Sequence, residues 1–289
     1  MQETPVEETS IGQRLRRLWC KQLNREICPS NEDFFSLGGT TLKAIRLFGH
    51  ISDEFGRLLP ASTILEAPTI EKLEKFLQRP ELDEGKAIFC PMAGQEGGRR
   101  LYFLHSMNGD AIDLRFVIKE FPQDIYAKGV RARRVGNEYY LFENFLEMGK
   151  YYAAKIAEDC KGEEVILAGH SLGSSLSFVV GAELQSMGVQ VNRVFFIDGY
   201  PPDLDSKLPL VSWSNFLRAY LSELPTWLYH FVSQEKSWLR ETWLHFSRQW
   251  AGIHWVDLYP PKQRVLAYHL EELYYSATLP IAKVSATLF

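Results

Sequence analysis

Cysteine is scarce and unpatterned: Cys20, Cys28, Cys90 and Cys160 are the only four in 289 residues. With no C-x-x-C pair among them, neither a disulfide framework nor the usual spacing of a zinc site is expected. No apolar run approaches the roughly 20 residues that cross a bilayer. The first ten residues are acidic and polar rather than basic and then apolar, so they do not read as a secretory leader. An excess of positive charge is also missing, because the net charge is −4, and nothing recommends nucleic acid or an anionic membrane as a partner. There is no internal repeat and no low-complexity tract. These absences predict a cytoplasmic protein without a metal. What remains is an ordinary globular composition, 46% hydrophobic and 24% charged, with length for one large or two modest cores.

The first eighty residues read as helices. Ile11, Leu15, Leu18, Trp19 and Leu23 recur at helical spacing behind Ser10, a capping residue. After Pro29 comes Asp33-Phe34-Phe35-Ser36-Leu37-Gly38-Gly39, and then Leu42, Ile45, Leu47, Phe48 and Ile51 open a second helix. Two glycines at a helix entry let the backbone approach closely where unpaired amides favour phosphate. Ser62 and Thr63 begin a short piece, and Thr69 precedes a last helix that ends before Pro80.

This arrangement resembles the carrier domains of nonribosomal peptide and polyketide synthases, whose motif is Phe-Phe-x-Leu-Gly-Gly-x-Ser-Leu. There the serine bears phosphopantetheine through a phosphodiester. The resemblance implies that Thr41, which stands at that position, is the attachment residue for 4'-phosphopantetheine, with a phosphopantetheinyl transferase and upstream synthetase domains as partners. Threonine keeps the hydroxyl, but its β-methyl group stiffens the side chain and crowds attack on the phosphate donor.

From residue 81 the pattern changes. Residues 81–85 read as a linker and 95–100 as a turn between extended segments, so 81–100 is a linker and first-strand region. Strand signals at 101–105, 125–127, 165–168 and 194–197 then alternate with helical ones. These are Leu114, Val117, Ile118 and Phe121; Leu141, Phe145, Met148, Tyr152 and Ile156; and Leu176, Val179, Val180, Leu184 and Met187, stopped by Gly188. Alternation of this kind predicts a largely parallel sheet covered by helices.

Gly169-His170-Ser171-Leu172-Gly173 lies between a buried strand and a helix, the setting in which Gly-x-Ser-x-Gly forms a nucleophile elbow. Ser171 is the candidate nucleophile, and the backbone N–H of Leu172 is a candidate oxyanion donor. Asp198, at the end of the next strand, is the candidate acid of a Ser-acid-His triad; its plainer role is to cap a turn. His105 and His170 precede the acid and are read as packing residues. Residues 203 to about 262 read as an inserted helical lid holding six of the seven tryptophans, which suits an apolar chain and excludes water. The run Arg131, Arg133, Arg134 is read as a solvated face rather than a phosphate contact.

Residues 86–289 resemble a type I thioesterase, an α/β-hydrolase with a lid. That resemblance makes Met107, in the loop Phe103-Leu-His-Ser-Met-Asn-Gly109, the second oxyanion donor, and likens residues 283–289 to the strand before the family's catalytic histidine. The histidine is then expected beyond Phe289, with His269 or His254 as the other choice. The whole reading is a four-helix carrier bundle over 1–80 followed by an α/β-hydrolase that lacks its last histidine region. It implies release of an acyl or peptidyl chain, by hydrolysis or macrocyclisation, from a phosphopantetheine thioester. Two alternatives stay open: a lipase or esterase with an unrelated helical domain, and a non-catalytic docking protein.

Overall fold

A computed structural model describes residues 10–79, 88–112, 122, 124–197, 260–276 and 286–288. The expected helix through 114–121, residues 81–85, Asp198 and nearly all of the expected lid lie outside these residues.

The N-terminal part is helical, as α1 (Ile11–Leu23), α2 (Thr41–Phe55), α3 (Thr63–Glu66) and α4 (Ile70–Gln78). Local chemistry sets the ends of these helices. Ser10 and Gln13 form a reciprocal capping box on α1, and Thr40 and Thr69 cap α2 and α4 by accepting from Lys43 and Lys72 N–H groups. The apolar faces meet in a core around Leu15, Trp19, Phe34, Leu47, Ile51, Ile64 and Leu73. Trp19 and Phe34 pack edge to face at 5.0 Å.

Strands β1 (Phe89–Ala93), β2 (Arg99–Leu104), β3 (Ile125–Val130), β6 (Val165–His170), β7 (Val191–Ile197) and β8 (Ala286–Leu288) form one sheet in the order β1-β3-β2-β6-β7-β8. Only β1 runs antiparallel to its neighbour. A two-residue pair, β4 (Arg134–Val135) and β5 (Glu138–Tyr139), stands apart. Helices α5 (Phe145–Cys160), α6 (Leu172–Ser186) and α7 (Pro261–Ser276) cover one face, burying Leu104, Val130, Val165, Leu167 and Phe196. On the opposite face Leu101, Phe103, Ala127, Ile166 and Ala168 make a second buried cluster. Tyr102 Oη and Lys128 Nζ both donate to Asp159, which ties the end of α5 to β2 and β3.

Two expectations are corrected. Leu141 is not on the apolar face of α5: it is exposed and precedes the helix, which begins at Phe145 because Asn144 caps it by accepting the Glu147 N–H at 2.8 Å. The arginine run is not a solvated face either. Arg131 is 3% exposed, and its guanidinium donates to Ser62 Oγ and Glu66 Oε1, each at 2.6 Å. Arg133 stacks over the Tyr140 and Tyr151 rings, and Arg134 donates to the Leu58 carbonyl. Opposite charge and aromatic faces from distant segments meet this run, and its local sequence carries no sign of them.

Candidate functional site

The centre of the site is the turn from β6 into α6. Ser171 has φ 54° and ψ −122°, a conformation that sidechain-bearing residues avoid, at a cost of about 1–3 kcal/mol. Three contacts hold it there. Its N–H donates to Ile197 O at 3.0 Å, Ser174 Oγ donates to Gly169 O at 2.8 Å, and Ser174 Oγ also accepts the Ile197 N–H at 3.2 Å. The glycines are needed for contact: a Cβ on Gly169 would overlap the Gly173 carbonyl, and one on Gly173 would lie 2.6 Å from Leu104 O and 2.9 Å from His105 O. The Ser171 side chain makes no capping bond to its own helix.

Because β2 and β6 are parallel neighbours, with Leu104 opposite Gly169, the loop leaving β2 emerges beside the elbow. Leu172 is the first residue of α6, where a helix leaves its amides without intrahelical partners, and Met107 lies in the neighbouring loop, packed against the main core. The same topology ends β7 next to His170, so the chain passes the elbow at Ile197. Asp198 is the following residue and lies outside the described ones.

His105 fixes the start of the β2 loop. Fully buried, it donates from Nδ1 to the Ser106 carbonyl at 2.9 Å, and its Nε2 lies 2.9 Å from Tyr152 Oη. A carbonyl only accepts, so the proton is on Nδ1 and Nε2 accepts the Tyr152 hydroxyl proton. Tyr152 Oη in turn accepts the Arg133 N–H at 3.2 Å. Burial pushes the His105 pKa down to about 4, which keeps the ring neutral. His269 holds its Nε2 on the Phe142 carbonyl at 2.7 Å, while His254 lies outside the described residues. Tyr152 had a visible apolar periodicity but no sign of this second duty.

The other predicted site residue, Thr41, is the first residue of α2 and is half-buried. Gly38 precedes it with φ +93°, and a Cβ on Gly39 would run into the Phe34 ring. Lys43 Nζ donates to Gly38 O at 2.9 Å. A hydroxyl residue in the first turn of a helix, after glycine backbone whose Gly38 carbonyl holds an ammonium, fits a phosphodiester. Among the described residues no group of three or more His, Cys, Asp or Glu could hold a metal ion, and no helix is long and apolar enough to cross a membrane.

Comparison with known proteins agrees with both halves. The family model for a phosphopantetheine attachment site matches residues 13–77, and the thioesterase domain model matches residues 99–214. Indigoidine synthase of Streptomyces lavendulae is 27% identical over 190 residues, covering 65% of this chain and 15% of that protein. Tyrocidine synthase 3 of Brevibacillus parabrevis is 27% identical over 217 residues, covering 73% of this chain and 3% of its own length. The chain therefore spans a small part of these relatives. A crystal structure of a four-domain nonribosomal peptide synthetase, holo-AB3403, bound to AMP and glycine, superposes on all of the chain and 23% of its own, with a TM-score of 0.51 and 15% identity. The chain thus joins a phosphopantetheine-type carrier domain, matched over residues 13–77, to an α/β-hydrolase domain of the thioesterase family, matched over residues 99–214.

Proposed function

We propose that this protein releases an acyl or peptidyl chain from a carrier-bound thioester, with Ser171 as the nucleophile. The observation that carries the reading is the strained Ser171, at φ 54° between β6 and α6, with the β2 loop against its glycine. Ser171 Oγ attacks the thioester carbonyl carbon, and its proton passes to a histidine base. The carbonyl oxygen becomes an oxyanion that accepts from the N–H groups of Leu172 and Met107. When it collapses, the C–S bond breaks, the thiol leaves with the proton, and the acyl group remains on Ser171 as an ester. Water, or a hydroxyl or amine of the chain itself, then attacks that ester and restores Ser171, giving a free acid or a ring.

Asp198 follows Ile197, which is bonded to the elbow, and is the acid that orients the base. A histidine later in chain order supplies the base; His269 is the lesser choice because the Phe142 carbonyl occupies its Nε2. Thr41 is the residue that would hold phosphopantetheine, and that group, when bound, supplies a thiol on a flexible arm. A transferase would load it, and upstream synthetase domains would deliver the chain.

Two mass measurements test this. A fluorophosphonate should add its phosphonyl group to Ser171, with fluoride leaving, and Ser171→Ala should abolish the addition. Incubation with coenzyme A and a phosphopantetheinyl transferase should load Thr41→Ser more fully than the parent. An unmodified serine variant sinks the carrier role, and turnover of simple esters without any thioester turnover sinks the release of carrier-bound chains.

A further inference from the structure

The loop 105–112 is the one that the proposed function assigns to the oxyanion, and the two domains hold different ends of it. Its first residues belong to the hydrolase: His105 is bonded to Tyr152, and Leu104 O and His105 O lie against Gly173. In the middle, Ala132 N–H donates to Gly109 O and Gln263 Nε2 donates to Asn108 O, each at 2.8 Å. Its last residues belong to the carrier. Ser62 N–H, at the start of α3, donates to Asp110 Oδ2 at 2.9 Å, while Asp110 Oδ1 accepts the Ala111 N–H at 2.7 Å. Asp110 N–H donates to Asn108 Oδ1, one residue beyond Met107, at 2.9 Å. Ile112 is fully buried as a member of the carrier core itself, with Leu15, Trp19 and Ile64.

The contact is built from groups that do not tolerate exposure to a half-empty interior. Asp110 is 2% exposed and Arg131 3% exposed. Burial opposes the charge of Arg131, yet the Glu66 and Asp110 carboxylates beside it hold its pKa above the ordinary arginine value. Removing α3 would take the Glu66 and Ser62 partners from Arg131 and the Ser62 N–H from Asp110 together, so undocking and loop disorder are energetically linked.

We propose that the docked carrier is a structural part of the acyl-transfer site. Ser62 N–H on Asp110, with Ile112 seated in the carrier core, holds residues 107–112 in place beside Leu172. Ser62, Asp110 and Ile112 are positioning residues, acting through the Met107 backbone rather than on substrate. Docking of the carrier then sets the rate of attack at Ser171 and not merely the supply of substrate. This rests on the function proposed above for Ser171 and Met107.

The test uses the full chain with two carrier-side variants. Ser62→Pro removes the donor at a φ of −63° that proline adopts. Glu66→Arg sets a second cation against Arg131. Hydrogen exchange by mass spectrometry should rise about tenfold or more at 105–112 in both, with β6 and α6 unchanged. The limiting rate of Ser171 phosphonylation should fall about tenfold or more, with little change in the half-saturating reagent concentration, as misplacement of a catalytic donor requires. Parent-like exchange at 105–112 in both variants overturns the proposal. Raised exchange with an unaltered limiting rate overturns its link to chemistry. If Ser171 of the parent does not react at all, the proposed function fails, and the exchange measurement still decides whether the carrier holds the loop.

Discussion

The helices that begin at the two candidate hydroxyls start in different ways. At α2 the capping is done by Thr40, in extended backbone (φ −118°, ψ 167°), and Thr41 occupies the first helical turn. At α6 Ser171 itself stands at the cap position, with φ 54°, and its side chain makes no capping bond. An attachment residue has to be presented on a helix that folds in the ordinary way, because its partner chemistry is brought to it by another enzyme. A nucleophile has to be aimed within its own site, and at the proposed nucleophile Ser171 the sheet on one side and α6 on the other keep the strained backbone from relaxing. Removing the feature that holds each hydroxyl should therefore have effects of different size and place.

The largest expected difference concerns acid. The elbow side rests on His105, whose folded pKa of about 4 lies below the ordinary 6.5. Between those values the unfolded chain binds the proton and the folded one does not, so stability is complete above pH 6.5 and is lost as pH falls toward 4. The loss amounts to roughly 3 kcal/mol by the linkage of pKa to free energy. Urea unfolding at several pH values should show this slope in the parent and a flatter one in His105→Gln, and hydrogen exchange should rise first at 105–108. Equal slopes in the two proteins would remove His105 from the account.

Next in size is the contrast between glycines. Gly169→Ala drives a Cβ into the Gly173 backbone, which cannot move without breaking the elbow, and should lower stability by about 2–3 kcal/mol. Gly38→Ala meets open space and suffers only from its positive φ, so about 1 kcal/mol is expected. Denaturant midpoints with unchanged slopes give both values, and equal losses would break the distinction between a packed turn and an open one.

The smallest effect is at the carrier entry. Thr40→Ala removes the α2 cap and should cost about 1 kcal/mol. Ser171→Ala should leave unfolding within about 0.5 kcal/mol, because that hydroxyl caps nothing. A loss at Ser171 as large as that at Thr40 would show that its side chain has a structural role.

Much of this was legible in the chain. Ser10 and Thr69 marked helix starts that the structure keeps, Gly188 marked a stop, and the strand before Ser171 together with the helix after it identified the elbow. These signals are local: a cap, a positive φ or a period of 3.6 involves residues a few positions apart. The error at Leu141 was also local, because an apolar residue in phase with a helix was counted in although Asn144 begins the helix three residues later. Arg131 was illegible for the opposite reason. Its partners, Ser62 and Glu66, are 69 and 65 positions away, and nothing in Arg-x-Arg-Arg distinguishes a solvated run from one enclosed between two domains.

The sequence by itself determined the kind of parts: a helical carrier with Thr41 where the resembling motif has its serine, and an α/β domain with a serine on a tight turn. Only the tertiary structure decided how those parts depend on each other. Parallel pairing of β2 with β6 brings the 105–112 loop to Ser171, and Tyr152, 47 positions along the chain, holds the His105 ring at its start. The carrier closes on the far end of that loop through Ser62, Asp110 and Ile112. Each of these is a contact between segments far apart in the chain, and its strength comes from the exclusion of water around the partners, a property that no short stretch of residues possesses alone.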